Sequence, residues 1–230
     1  MSHPLDRAVF NALTGRLSAF ATSDSDARAV RIDPEVGVFL AAADASAESR
    51  DHLTELARRH PGAGLVERTD GPMAEILPDV PVARRVPLVQ MTATALTAGG
   101  PDIAVEPLTE ADAPAMLALA TLTRPGPFRS ATSRLGPFVG IKREGRLVAM
   151  AGRRLRVDGF TELSGVCTHP DHRGRGYAAA LSRTVAGEVI AAGEAVFLHA
   201  FADHEATIAF YRSLGFEVRA PMTYTILDQG

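Results

Sequence analysis

Tryptophan is absent from this chain of 230 residues, and cysteine occurs once, at Cys167. A single cysteine excludes an internal disulfide framework and a cysteine-rich zinc site, and it fits a reducing compartment. Neither sign of charge dominates: 24 Lys and Arg stand against 27 Asp and Glu, a net charge of −3. No global basic excess therefore points to nucleic acid or an anionic membrane as the main partner. No run approaches the roughly 20 apolar residues of a transmembrane helix. The first residues, Met1-Ser2-His3-Pro4-Leu5-Asp6-Arg7, lack a basic stretch leading into an apolar one, so no secretory signal is read there. The expectation is a cytoplasmic protein with no nucleic-acid or membrane partner. What is present is ordinary for a folded protein: 46% hydrophobic and 22% charged residues, sufficient for one large domain or two modest ones.

The turn-forming stretch Thr97-Ala98-Gly99-Gly100-Pro101 divides the chain, because Gly-Gly frees the backbone and Pro then fixes it. The expected domains are residues 1–98 and 101–230. In the first, Val9, Leu13, Leu17 and Phe20 recur at helical spacing and predict a helix over 6–21. Val36–Ala42 reads as a strand, and Ser46 or Ser49 would cap a helix carrying Leu53, Leu56 and Ala57 to an end near His60-Pro61-Gly62. Another strand is expected within 82–96. In the second, Thr109 and Asp112 form a capping-box pattern for a helix to about Leu122. Strands are read at 103–107, 137–142, 147–157 and 160–168, with Glu144-Gly145 and Asp158-Gly159 as hairpin turns. A helix over 176–192, a strand over 195–201, a helix over 205–214 and a strand over 216–227 complete a mixed α/β (α+β) sheet.

The chemistry concentrates in Cys167-Thr168-His169-Pro170-Asp171-His172-Arg173-Gly174-Arg175-Gly176-Tyr177-Ala178. Pro170 ends a strand, two glycines allow a tight turn, and Leu181, Val185 and Val189 begin an apolar helical stripe. Such a turn presents free N–H groups at the positive end of a helix and suits a phosphate or pyrophosphate. Arg173 and Arg175 add positive charge. Neither a P-loop nor a dinucleotide-fold pattern is present.

Arg173-x-x-Gly176-x-Ala178 resembles the acyl-CoA signature Arg/Gln-x-x-Gly-x-Gly/Ala of the GNAT superfamily of N-acetyltransferases. Farther on, Ala206 to Phe216, which includes Tyr211-Arg212-Ser213-Leu214-Gly215-Phe216, resembles that family's helix ending in Tyr-x-x-x-Gly-Phe. The resemblance covers residues 101–230, and is closest to a bacterial subgroup sharing the Val-Cys-Thr-His-Pro run at 166–170. It implies the GNAT fold, with a mostly antiparallel mixed sheet, preceded here by a smaller α/β unit. It also implies acetyl-CoA as acyl donor, an amine acceptor and no metal. By the same resemblance, backbone amides of Gly174, Arg175, Gly176, Tyr177 and Ala178 would cradle the pyrophosphate, with Arg173 beside them. The strand Val166-Cys167-Thr168 would pair with the pantetheine arm and splay from the strand at 195–201. Tyr211 matches the tyrosine that protonates the departing thiolate, with core packing as its other reading. The family often has Asn and then Ala before the last helix; His204 and Thr207 stand there, and His204 could still contact CoA.

An amine must be deprotonated to attack, so a base is expected near the thioester. Glu162 is the first candidate, on the cofactor-pairing strand, where burial is expected to raise its pKa; His199 is the second. A backbone N–H near Cys167 or Thr168 would meet charge developing on the thioester oxygen. Cys167 lacks a His/Asp partner pattern and reads as packing, and His169-x-Asp171-His172 reads as a turn rather than a metal site. The Leu122–Arg129 loop, with Phe128 and Arg124 or Arg129, reads either as a wall of the acceptor site or as a connector. A catalytically silent acyl-CoA-binding module is the alternative to an enzyme. The first segment is open to three readings: a degenerate half-GNAT unit, an acceptor lid, or a surface for homodimer formation. No CoA signature lies in it.

Overall fold

The computed structural model describes residues 3–71, 77, 80–100 and 102–228. Pro101, the last residue of the expected Gly-Gly-Pro break, lies outside them, as do Met1, Ser2, Gln229 and Gly230. In chain order the regular elements are α1 (Ala8–Thr14), β1 (Ala29–Arg31), β2 (Leu40–Ala42), α2 (Ala47–Arg59), β3 (Gly64–Arg68), β4 (Val82–Ala93), β5 (Glu106–Leu108), α3 (Ala113–Thr123), β6 (Phe138–Arg143), β7 (Arg146–Val157), β8 (Phe160–Thr168), α4 (Tyr177–Ala191), β9 (Ala195–Phe201), α5 (Glu205–Ser213) and β10 (Glu217–Leu227).

Local chemistry accounts for most of these boundaries. Ser46 caps α2 by accepting the Ser49 N–H at 3.2 Å. Asp112 accepts the Thr109 N–H at 2.8 Å, and this capping box starts a short 3-10 turn that leads into α3. Glu144 and Gly145 both adopt left-handed angles, φ 53° and 75°, which a two-residue hairpin turn between β6 and β7 requires. The helix expected over 6–21 is shorter than its apolar stripe. A 3-10 turn occupies Pro4–Arg7, and α1 stops at Gly15, which leaves the helical region with φ −120° and ψ −115°. The strand expected over 36–42 forms a ladder only at Leu40–Ala42, against Ala29–Arg31, with an isolated parallel bridge from Phe39 to Gly64.

Eight strands form one sheet in the order β3-β10-β4-β9-β8-β7-β6-β5. Every pairing in it is antiparallel except β8 with β9. Strand pairing runs across the stretch at 97–101: β4, from the first segment, lies between β9 and β10, and β3 borders β10 on its other side. On one face α4 and α5 pack over a core that includes Leu163, Leu181, Val185, Val196, Leu198 and Phe216. On the other face α1 covers Leu155, Val157 and Phe197, and α3 covers Phe138, Met150 and Cys167.

The feature that positions the site is a fork. β8 and β9 pair in parallel only at Phe160 with Ala195, Thr161 with Val196, and Glu162 with Phe197. Beyond Glu162 the strands part. The register of β8 against β7 shifts between Ser164 and Cys167, where Gly165 takes φ 66°. This bulge turns the end of β8 away from β9.

Candidate active site

A cleft of about 480 Å³ opens at the fork, and residues 166–168 and 173–178 all line it. The sequence-predicted turn is thus brought together with the splayed strand. Gly174 and Gly176 adopt φ 72° and 77°, a conformation that costs a side-chain-bearing residue roughly 1–2 kcal/mol. Gly176 caps α4, so the N–H groups of the helix's first turn face the cleft. His169 donates its N–H to the Val148 carbonyl at 2.7 Å, and Met150 sits opposite Cys167. By ladder alternation Cys167 therefore turns its backbone groups toward β7, whereas Val166 and Thr168 turn theirs to the open side. Of the two amides anticipated to meet a developing oxyanion, the one at Thr168 faces the gap.

Thr123 and Pro125, from the loop read either as an acceptor-site wall or as a connector, also line the cleft, as do His172 and Phe210, which were not anticipated there. His172 Nδ1 is buried there with no hydrogen-bond partner. Tyr211 is 8% exposed, packed edge-on against Phe216 at 5.6 Å and Phe210 at 5.0 Å. Burial pushes its phenol up to about 12. The cleft lining takes Phe210 from this turn of α5 and not Tyr211. His204 begins α5 exposed to solvent, its ring 5.1 Å from that of Phe201, and the cleft lining does not include it. Burial raises the Cys167 thiol to about 11, which keeps it protonated. Among the described residues no group of three or more His, Cys, Asp and Glu is placed to hold a metal ion.

The expectation that burial would raise the Glu162 pKa is overturned. Burial alone pushes the carboxyl up, but the adjacent Arg154 charge and its hydrogen bonds, reinforced by His199, bring it down to about 2. A second bulge causes this. The register of β7 against β8 shifts between Arg153 and Arg156, so Arg154 and Leu155 both meet Glu162. Arg154 grips the carboxylate through Nε and Nη2, each at 2.8 Å, and the Leu155 N–H donates at 3.2 Å. His199 Nδ1 completes the shell at 2.9 Å. A carboxylate so occupied stays ionised and is a poor proton acceptor at neutral pH.

The same network sets the His199 tautomer. Arg219, which can only donate, bonds Gln90 Oε1 at 2.6 Å. The Gln90 amide nitrogen must then donate to the Leu5 carbonyl at 3.2 Å and to His199 Nε2 at 3.1 Å. His199 accepts at Nε2 and donates from Nδ1 to Glu162. Arg219 also pairs with Asp6, so the buried chain of polar contacts ties the first turn of the protein to the fork.

A parallel fork with a glycine turn and helix N-terminus at its mouth is the architecture of an acyl-CoA-dependent N-acyltransferase. The FR47-like protein family matches residues 138–225. A GNAT-family protein of known structure from Novosphingobium aromaticivorans is 40% identical, with all of both chains covered and a TM-score of 0.87. The chain belongs to the GNAT family. A GCN5-related N-acetyltransferase from Kribbella flavida shares the fold at 19% identity, with a TM-score of 0.70 over all of this chain and 98% of that one. A GNAT-family acetyltransferase from Colwellia psychrerythraea does so at 14% identity, with a TM-score of 0.55 over 99% of this chain and 98% of that one. No curated protein matches the chain. No helix among the described residues is long and apolar enough to cross a membrane.

Proposed function

We propose that the protein is an acetyl-CoA-dependent N-acetyltransferase that acts on a primary amine of a small molecule or peptide by direct attack within a ternary complex. The fork carries this reading: an open β8 edge leads into a positively charged glycine turn at the start of α4. The residues present fit the donor. Left-handed Gly174 and Gly176 leave the backbone uncovered, Arg173 and Arg175 add positive charge, and the unpartnered His172 Nδ1 offers a further polar contact. The amides of residues 174–178 would hold the pyrophosphate, and Val166 and Thr168 would pair with the pantetheine amides as an added strand does. Acetyl-CoA would supply the activated acyl group and a thiol leaving group.

This chain's own groups divide the remaining tasks. The Thr168 N–H faces the side on which carbonyl charge develops. Tyr211, with its pKa pushed up to about 12, keeps its proton at neutral pH; it sits behind Phe210 and does not line the cleft, so its role as donor to the leaving thiolate requires the Phe210 ring to shift when the donor binds. Glu162, held as an ion, orients His199 and leaves proton removal to other groups or to water. Reduced Cys167 fits a cytoplasmic setting.

Calorimetric titration with acetyl-CoA tests the donor assignment, and no heat at millimolar ligand would overturn it. Thiol release over a panel of amines tests turnover. Tyr211→Phe is expected to lower turnover by about 10²-fold or more while leaving acetyl-CoA affinity within about twofold. A second reading, a silent acyl-CoA-binding module, draws on the exposed His204 and the clamped Glu162. It predicts binding without thiol release from any amine.

A further inference from the structure

We propose that the acceptor is a weakly basic primary amine that reaches the fork already neutral, such as the α-amino group of a peptide or an aromatic amine, and not the ε-amino group of lysine. The proposal rests on the acetyltransferase reading and names the acceptor class within it. Attack joins the amine nitrogen to the acyl carbon and breaks the carbon–sulfur bond. A neutral amine balances within the complex, because the nitrogen gives up one proton and the sulfur gains one. An ammonium carries a further proton, which a base on the protein would have to remove first.

Glu162 and His199 flank the fork, and neither has a free site for that proton. Glu162 Oε1 accepts Arg154 Nη2 at 2.8 Å and His199 Nδ1 at 2.9 Å. Its Oε2 accepts Arg154 Nε at 2.8 Å and the Leu155 N–H at 3.2 Å. The side chain is 1% exposed, so an incoming amine cannot reach it. His199 Nε2 accepts from the Gln90 amide nitrogen at 3.1 Å, and a proton added there would meet that NH2 group head-on. Gln90 cannot turn its carbonyl toward the ring instead, because Arg219 holds Oε1 at 2.6 Å and is itself anchored by Asp6. The charged groups around the imidazole come from four places: Arg154 on β7, Glu162 on β8, Arg219 on β10 and Asp6 in the first turn. Each is paired within this chain. The buried network therefore locks the ring and leaves it unable to take a proton.

The cleft supplies no substitute. Among the described residues no Asp or Glu lines it. Cys167 is held protonated by burial, and the Tyr177 hydroxyl is engaged by Arg143 Nε at 3.0 Å. His172 follows Pro170 in the 3-10 turn and adjoins Arg173, at the end of the cleft assigned to the pyrophosphate and away from the strand edge. With Arg173 and Arg175 in the lining and no carboxylate to offset them, the cleft also opposes an incoming ammonium.

The size of the effect follows from ordinary amine basicities. At pH 7.5 a peptide α-amino group is roughly one-third neutral, whereas a lysine ε-amino group is about 0.1% neutral. The more basic amine is intrinsically the better nucleophile, by about half a power of ten per pK unit in the case of thiols. A net preference of roughly tenfold for the weaker base remains.

The test follows thiol release from acetyl-CoA by the full chain between pH 6 and pH 10 with three acceptors: a lysine-free peptide with a free N-terminus, its N-acetylated counterpart carrying one lysine, and aniline. At pH 7.5 the free peptide or aniline is expected to exceed the lysine peptide in kcat/KM by about tenfold or more, and whichever does so separates a peptide acceptor from an aromatic one. For each acceptor kcat/KM should level off at the pKa of that amine, near pH 8 for the α-amino group. A lysine peptide that reacts as fast, or a plateau at one common pH for all acceptors, would overturn the proposal. Nitrogen-15 spectra of the His199 ring give a readout without turnover: at pH 7.5 the proton should sit on Nδ1 alone, and a proton on Nε2 would refute the lock. Thiol release with none of the acceptors removes the acetyltransferase reading and this proposal with it, whereas release with lysine alone removes only this one.

Discussion

At the scale of single residues, two buried glutamates pull the pH dependence of stability in opposite directions. Glu162 has its pKa lowered from 4.5 to about 2. Its stabilisation is present above pH 4.5 and is lost as pH falls toward 2. Glu67 on β3 is 6% exposed, and its Oε2 has no partner. Burial raises its pKa from 4.5 to about 8, against a small opposing pull from Arg7. Its contribution is complete below pH 4.5 and is lost as pH rises to about 8. Glu67→Gln is therefore expected to be more stable than the parent by about 1–3 kcal/mol at pH 8, with no gain at pH 4, as read by urea unfolding. Glu162→Gln should cost about 3–5 kcal/mol at pH 7, because it leaves Arg154 buried without a counter-charge. That loss should shrink toward pH 2, where the parent carboxyl is itself protonated. An equal loss at both pH values would refute the account of Glu162 as a clamped ion.

Among elements, the α4 turn is the most exposed to a single substitution. At Gly174 an added Cβ would meet nothing within 4 Å, so Gly174→Ala carries only the conformational cost of its φ of 72°. Acetyl-CoA affinity is expected to fall by roughly tenfold, equivalent to 1–2 kcal/mol of backbone strain, with the far-UV spectrum unchanged. Unaltered affinity would show that the turn does not need that conformation. This turn was legible in the sequence because its residues are contiguous and its glycines and arginines have few other uses. The β6–β8 hairpins, the ends of α2 and the capping box before α3 were legible for the same local reason.

What escaped was non-local. Gly64–Arg68 carries Glu67 and Arg68 within five residues and becomes a strand only because β10 lies beside it. The clamp on Glu162 depends on a bulge that brings Arg154 and Leu155 opposite one residue, and no spacing rule signals such a bulge. Tyr211 and Phe210 are neighbours on α5, so one turn decides which ring lines the cleft. That choice follows from packing against Phe216, beyond the reach of a motif.

For the molecule as a whole, the decisive fact is the position of β4. It is paired on both sides, to β9 from Leu88 to Ala93 and to β10 from Val82 to Thr92. A chain consisting of 102–230 alone would lose this strand and leave two long unpaired edges facing each other. Such a fragment is expected to aggregate or to melt without a cooperative transition, and circular dichroism on heating would show it. A sharp transition matching that of the full chain would instead establish residues 101–230 as an independent domain.

The same strand constrains how the protein is made. Val196, the partner of Ala93, lies 103 residues further along the chain. At about 5–20 residues per second, a ribosome needs roughly 5–20 s to reach it. Throughout that interval β4 leaves the exit tunnel as an orphan, with both hydrogen-bonding rims open and Val86, Leu88, Val89 and Met91 in its sequence. For that whole interval the nascent chain carries an unpaired strand, and slow codons between β4 and β9 would lengthen it.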